Sequence, residues 1–261
     1  GVIGDIYMGR ATVYRHRPSI GRVADSPVPA GVNWDLYRGP APMIPFNRNH
    51  FHYNWHWYWD TATGEFGNNG VHAVDRIRFA MKKSVHPVKI SCCGGFYAWD
   101  SDQEVPNLQV GTFEYDDGKI IELEVRSLFT PEESTITFFG TKGYATLGNT
   151  FQTFMGPNRE PGINLTPADL EPDTYRTELE QARIEYHFVN FLDCVRSRKW
   201  QDLLADINEG HMSTSMMLIG NIAYRTGRKL VFDGKTETFV NDEEANSYLT
   251  RKEYRRPYVL P

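Results

Sequence analysis

Disulfides, basic tracts and membrane-length apolar runs are all missing from this chain. Its three cysteines, Cys92, Cys93 and Cys194, make an odd count and have no metal-ligand spacing. Neighbouring residues on a strand point to opposite faces, so Cys92 and Cys93 are expected as free, partly buried thiols. Lys and Arg number 28 against 33 Asp and Glu, a formal net charge of -5, and no basic block stands out. That charge pattern gives no footprint for nucleic acid. No apolar run approaches the roughly 20 residues of a spanning helix, and no secretory leader is recognisable. Internal repeats and low-complexity tracts are missing too. No Gly-x-Gly-x-x-Gly follows a strand, since Gly64, Gly67 and Gly70 have the wrong spacing for a dinucleotide loop. The opening Gly1-Val2-Ile3-Gly4-Asp5 reads as the entrance to a strand, as in a chain cut from a longer one. The compartment, cytoplasmic or periplasmic, is left open.

What the chain has in excess is aromatic and imidazole side chains in one place. His50, His52 and His56 stand among Phe51, Tyr53, Trp55, Trp57, Tyr58 and Trp59, and Asp60 closes the run. A core does not need imidazoles at that density. A pocket for a polyhydroxylated ligand does: aromatic faces cover the C–H faces of a sugar, while His, Asn and Asp bond its hydroxyls.

Around this run the pattern predicts an α+β domain. Residues 3–15 read as a strand. Residues 16–67 lack periodicity, are punctuated by prolines and read as one long, ordered pocket loop. Residues 68–83 read as a helix with an apolar face of Val71, Val74 and Ile77, capped by Asn68 or Asn69. Residues 88–155 read as sheet, with hairpins around Asp116-Asp117-Gly118 and Gly140-Thr141-Lys142-Gly143. Ile121, Leu123 and Val125 alternate there with Glu122, Glu124 and Arg126. Helices are expected over 177–199, with a stripe of Ile184, Phe188, Phe191, Leu192 and Val195, and over 205–226. The second carries Ile207, His211, Leu218, Ile219 and Ile222 on one side and ends at Gly227. The sum is a single domain, residues 1–261: an open, mainly antiparallel sheet with helices packed on one face.

Several motifs then carry a resemblance. They include Arg17-Pro18-Ser19-Ile20-Gly21, Phe51-His52-Tyr53-Asn54-Trp55-His56-Trp57 and Gly67-Asn68-Asn69-Gly70-Val71-His72-Ala73-Val74-Asp75. Asn190-Phe191-Leu192-Asp193 and Tyr254-Arg255-Arg256-Pro257 belong to the same set. Through them the whole chain resembles the C-terminal domain of the Gfo/Idh/MocA oxidoreductases (glucose–fructose oxidoreductase and inositol dehydrogenase). It is similar to a bacterial branch with long pocket loops. The resemblance implies a substrate-binding and oligomerisation domain of an NAD(P)-dependent sugar or cyclitol dehydrogenase that oxidises a secondary hydroxyl. In that family a separate N-terminal Rossmann domain holds NAD or NADP, and its Glu-Lys-Pro motif supplies a catalytic lysine. Neither motif occurs here, so this chain alone is expected to bind no nicotinamide. A sugar or cyclitol substrate and a homo-oligomer formed through the open sheet are the implied partners, with no nucleic acid and no membrane.

The resemblance also points to residues. Family members carry Asp-x-x-x-His at the start of the pocket helix, and the matching positions here are Asn68 and His72. His72 is the expected acid/base, suited by a pKa near neutrality. Asn68 can orient a hydroxyl but cannot take a proton, leaving Asp75 or Asp60 as a substitute carboxylate. Tyr53, Trp55, His56, Asp60, Asp75 and Arg17 are the expected substrate contacts. Two alternatives stay open. His50, His52 and His56 are a candidate metal set, and a free-standing carbohydrate-active domain without redox chemistry rivals the dehydrogenase. If the run is extended, Tyr53, Trp55 and Trp57 lie on one side and His52, Asn54 and His56 on the other.

Overall fold

The structure, a computed structural model, describes residues 1–130, 135–166, 186–251 and 254–259. Its frame is one ten-stranded sheet. In chain order the strands are β1 (Ile6–Tyr14), β2 (Lys89–Gly95), β3 (Leu108–Glu114), β4 (Ile120–Arg126) and β5 (Thr135–Gly140). They continue with β6 (Gly143–Leu147), β7 (Phe151–Met155), β8 (Glu160–Leu165), β9 (Leu230–Asp233) and β10 (Thr238–Phe239). Across the sheet the order is β10-β9-β2-β3-β4-β1-β5-β6-β7-β8. Every pairing is antiparallel except β1 with β4. The two hairpins expected from sequence are β3–β4 and β5–β6. β7 falls within the 88–155 range expected for the sheet, while its partner β8 and the small edge pair β9–β10 lie beyond it.

Short helices fill the long loop: α1 (Trp34–Arg38), two 3-10 turns at Arg48–His50 and His52–Trp57, and α2 (Gly64–Asn68). α3 (Gly70–Met81) follows after a break at Asn69, so the single helix expected over 68–83 is two. α4 takes in residues 186–197, and the earlier part of the expected 177–199 helix lies outside the described residues. α5 (Ile207–Thr226) and α6 (Glu243–Ser247) complete the set.

α3 and α5 cover one face of the sheet. α3 lies against β1 so closely that a Cβ at Gly9 would meet Ile77 and Met81. α5 is equally tight: at Gly220 a Cβ would meet Phe66 and Phe113. The core between the layers is Phe66, Val74, Ile77, Phe113, Ile121, Leu123, Met216, Met217 and Ile219. Each such side chain gains about 1.5–3 kcal/mol from leaving water. The alternation foreseen in β4 holds, with Ile121, Leu123 and Val125 buried toward the helices. On the opposite face Arg10 of β1 pairs with Glu122 at 2.8 Å, and Arg126 with Glu124.

Two helix faces differ from expectation. In α5 the buried side is Met216, Met217, Ile219, Gly220, Ile222 and Ala223; of the expected stripe Ile219 and Ile222 are buried, while Ile207, His211 and Leu218 are exposed. Helix-period spacing cannot tell which of two partly apolar stripes meets the sheet, and Gly220 decides it by permitting the closer approach. In α4 the stripe Phe188, Phe191, Leu192 and Val195 is exposed. Ile184 falls outside the described residues. Cys92, Cys93 and Cys194 are free thiols, and burial pushes Cys92 up to about 12. No described helix is long and apolar enough to cross a membrane.

Candidate active site

The break at Asn69 sets the position of His72. α2 ends there, and α3 restarts at Gly70, where a Cβ would fall 2.7 Å from Leu123 Cδ2. A side chain at this position would lift the helix off the sheet. His72 therefore sits on the first turn of α3, exposed, in the wall of a cavity of about 890 Å³. Asn69 lies before it and Ala73 and Arg76 after it on the same wall. The floor is Thr12, Val13, Tyr14 and Arg15 at the end of β1. Thr135, Ile136, Leu147, Gly148 and Asn149 form the far side. Open to water, an imidazole there can exchange a proton with a bound hydroxyl.

A buried carboxylate organises the near wall. Glu65 of α2 is 1% exposed at its side chain. Its Oε1 accepts from Arg17 Nη2 at 3.1 Å and from the Asn69 amide. Its Oε2 accepts from Arg17 Nε at 3.3 Å, Arg17 Nη2 at 3.1 Å and Asn68 Nδ2 at 3.3 Å. Glu65 thus fixes Asn69, a cavity residue, and Arg17, which follows the β1 floor. It also gives a physical account of Asn68. An aspartate there would face the Glu65 carboxylate, whereas the amide donates to it.

Arg17 carries the link to the aromatic run. Its guanidinium lies over the Tyr53 ring at 5.7 Å and the Trp57 ring at 5.9 Å. The run itself is a 3-10 turn and not an extended segment. With three residues per turn, Tyr53 and His56 share a side, and their rings meet edge to face at 4.4 Å. The expected two-sided alternation is therefore replaced: His56 and Trp57 are buried, while Tyr53 and Trp55 are exposed.

The expected contacts thus separate into groups. His72 lines the cavity, and Asn68 stands one turn before it on the hub of Glu65. Arg17, Tyr53 and His56 form the adjoining layer without reaching the cavity wall. Trp55 is exposed, with its carbonyl accepting from Thr61 Oγ1 at 2.6 Å. Asp60 is elsewhere. It pairs with Arg38, whose side chain is fully buried, and its carbonyl accepts from Arg251 at 2.7 Å. Asp75, although three residues from His72, faces α5: it accepts from Ser213 Oγ at 2.5 Å and lies 3.7 Å from Arg78. Neither carboxylate stands in for the missing relay partner of His72, because each is held by an arginine-centred network. His50, His52 and His56 do not converge as metal ligands. Among the described residues the ligand atoms of a different group do so: His86, His211 and Glu237.

Sequence reasoning missed Glu65, Asn69, Arg76 and the cavity's far side. Asn69 and Arg76 were within reach, since three and four residues on either side of His72 share its helix face. Glu65 had no such signal: a carboxylate in a glycine-rich turn reads as solvated, and its partner Arg17 lies 48 positions away.

Two imidazoles of the run are held away from water. His50 stacks on Tyr58 at 3.5 Å, and burial pushes its pKa below the ordinary 6.5; burial does the same for His56. Both fold with a pKa lower than in the unfolded chain, so below pH 6.5 the unfolded state binds more protons. Their contribution is whole above that pH and is lost as pH falls toward the folded values. Urea unfolding between about pH 7.5 and 5 is expected to show stability falling with acidification, with the slope reduced in His56→Asn. The carboxylates with lowered pKa, such as Asp35 and Glu114, start from 3.8 and 4.5 and act below this window. A flat profile down to pH 5 would contradict the burial of these rings.

Residues 20–260 match the profile of the oxidoreductase family's C-terminal alpha/beta domain of the Gfo/Idh/MocA type. No curated protein sequence matches the chain. Among solved structures it is similar to the WlbA dehydrogenase of Bordetella pertussis, determined with NADH and UDP-GlcNAcA. The TM-score is 0.54 at 18% identity, over 88% of this chain and 56% of that one. GenD2 from gentamicin A biosynthesis, determined with NAD, gives 0.52 at 16% identity over 88% and 56%. Levoglucosan dehydrogenase, determined with NADH and L-sorbose, gives 0.54 at 11% identity over 88% and 59%. At these identities the likeness is one of fold. The chain spans between 56% and 59% of the length of these structures. With the profile matched over nearly the whole chain, on a sheet and helices of the same fold, this protein belongs to the Gfo/Idh/MocA oxidoreductase family and carries its C-terminal α/β domain.

Proposed function

We propose that these residues form the substrate-binding half of an NAD(P)-dependent dehydrogenase acting on a secondary hydroxyl of a sugar or cyclitol. The observation that carries this reading is His72 on the first turn of α3, in the wall of a cavity that also presents Asn69, Arg15, Arg76, Thr12 and Asn149. Such a wall offers several donors and acceptors to a polyol and one group able to take a proton. In the reaction His72 accepts the proton of the hydroxyl as its carbon becomes a carbonyl. Asn69, held by Glu65, orients a neighbouring hydroxyl, and Asn68 steadies the same turn.

In this reading the described residues do not supply the cofactor's pyrophosphate cradle. Among the described residues no strand runs through a glycine-rich turn into a helix, the arrangement that cradles a pyrophosphate. The hydride acceptor, NAD or NADP, belongs in this reading to a Rossmann domain outside these residues. Assembly is proposed through the sheet face away from α3 and α5, where the Arg10–Glu122 pair and the Tyr144–Phe154 stack lie.

The test is an assay of the polypeptide carrying these residues against a panel of sugars and cyclitols with NAD+ and NADP+. Reduction of nicotinamide by at least one polyol is the expected result. Polyol binding without any reduction would replace the dehydrogenase by a binding module. No polyol binding at all would remove both.

A further inference from the structure

Beyond the far end of α3 a second cluster of chemistry-bearing side chains comes together from three distant segments. His86 lies in the connection from α3 to β2, His211 on the second turn of α5, and Glu237 in the β9–β10 turn. Glu237 Oε1 stands 2.9 Å from His86 Nε2 and 2.6 Å from His211 Nε2. His86 and Glu237 are 151 positions apart in the chain. The three ligand atoms lie within 4.8 Å of one another, and among the described residues no other trio of His, Cys, Asp or Glu does so.

The surroundings hold this arrangement in place. His86 is buried, its ring edge-on to Phe232 at 5.5 Å and to His211 at 5.8 Å. Gly234 makes room for it, since a Cβ at Gly234 would come 2.9 Å from His86 Cβ. Glu237 adopts a left-handed backbone, φ 52°, which costs a non-glycine residue of order 1 kcal/mol or more and turns its carboxylate onto the two rings. The strained turn and the buried imidazole are both spent on bringing a carboxylate to two nitrogens. The carboxylate and His211 are about half exposed, so an ion can enter and the fourth position is open to water.

We propose that His86 Nε2, His211 Nε2 and Glu237 Oε1 form a binding site for a zinc-class divalent transition metal ion, clipping the β9–β10 edge to α5 and to the α3–β2 connection. Two imidazoles and one carboxylate suit a borderline ion, and they argue against magnesium or calcium, which take all-oxygen shells. Three protein ligands with water in fourth place is a common zinc arrangement. At zinc–ligand bonds of roughly 2.0–2.2 Å a tetrahedral shell spaces its donor atoms about 3.3 Å apart. With that spacing the two Nε2 atoms, within 4.8 Å of each other, have to close by up to about 1.5 Å, and the exposed Glu237 carboxylate to withdraw by about 0.4 Å from His86 and about 0.7 Å from His211. Binding turns both Nε2 atoms from hydrogen-bond donors into ligands, so the imidazoles bind in their Nδ1–H form.

The experiment is a titration of chelator-treated protein with zinc chloride, followed by calorimetry and thermal unfolding, and in parallel with cobalt chloride by visible absorption. The comparison variants are His211→Ala, at an exposed position whose loss leaves the core intact, and His72→Ala as a remote control. Expected are one equivalent of zinc per chain, a Tm raised by zinc, and a tetrahedral cobalt spectrum. His72→Ala should keep all three. His211→Ala should bind zinc at least about tenfold more weakly, since even loss of an outer-shell partner costs about 10–100-fold, and should lose the cobalt bands. No zinc response in the wild-type chain, or an equal response in His211→Ala, would overturn the site.

Discussion

Replacement of His72 by alanine is expected to cut the rate of polyol oxidation by roughly 10²–10⁴-fold, the range in which a positioned acid/base contributes. The fall should be in kcat, with a smaller change in KM, because the cavity's other donors remain to bind the substrate. His72 is exposed, so the Tm should move little. Asp75 and Asp60 are not expected to take over, since each is engaged by an arginine and neither lines the cavity. A variant with wild-type kcat would remove His72 from the chemistry and reduce it to a polar residue of α3. Loss of kcat together with a large fall in Tm would instead reveal a folding role. Rate and unfolding must therefore be measured on the same preparation.

How legible this site was depended on the range over which its signals act. Alternation in β4 and the turn at Asp116-Asp117-Gly118 are local, and they yielded the β3–β4 hairpin. The end of α5 was equally local: Gly227 takes φ 68° and donates back to the carbonyls of Ala223 and Tyr224. The aromatic run was visible as a composition but not as a shape. Without periodicity, an extended segment and a 3-10 turn read alike, so the sidedness of Tyr53, Trp55 and His56 came out wrong. Asn69 was one of two expected caps and is the N-cap of α3, but the separate α2 that runs up to the break there was not foreseen. It is the tight contact of Gly70 with Leu123 that fixes the break. Partners far apart in the chain gave no signal at all. Arg17 with Glu65, Asp60 with Arg38, and the His86–His211–Glu237 trio become neighbours only once the sheet is assembled. Helical spacing placed His211 only on a side with apolar neighbours.

Substitution of Glu65 by alanine is expected to cost the fold about 3–5 kcal/mol, the usual penalty for leaving the partner of a buried ion pair uncompensated. For a chain of this size that corresponds to a fall in Tm of roughly 6–20 °C. Arg17 would keep its charge at 13% side-chain exposure with its carboxylate gone. Asn68 and Asn69 would lose their acceptor as well. The loss should therefore reach the cavity, loosening the turn that carries His72, and KM for polyol should rise even where the variant is folded. Glu65→Gln keeps the shape and one acceptor oxygen but not the charge, and should fall between wild type and alanine. The double variant Arg17→Met/Glu65→Leu separates charge from packing. Without a charge to strand, it should recover most of the lost stability, while the stack of Arg17 on Tyr53 and Trp57 is gone. Urea unfolding of wild type, Arg17→Met, Glu65→Leu and the double variant measures this cycle, with Glu65→Ala and Glu65→Gln alongside. A cost below about 1 kcal/mol for Glu65→Ala, typical of an exposed pair, would show that the Arg17–Glu65 hub is solvated in solution. It could not then be what joins the aromatic run to the wall of the cavity.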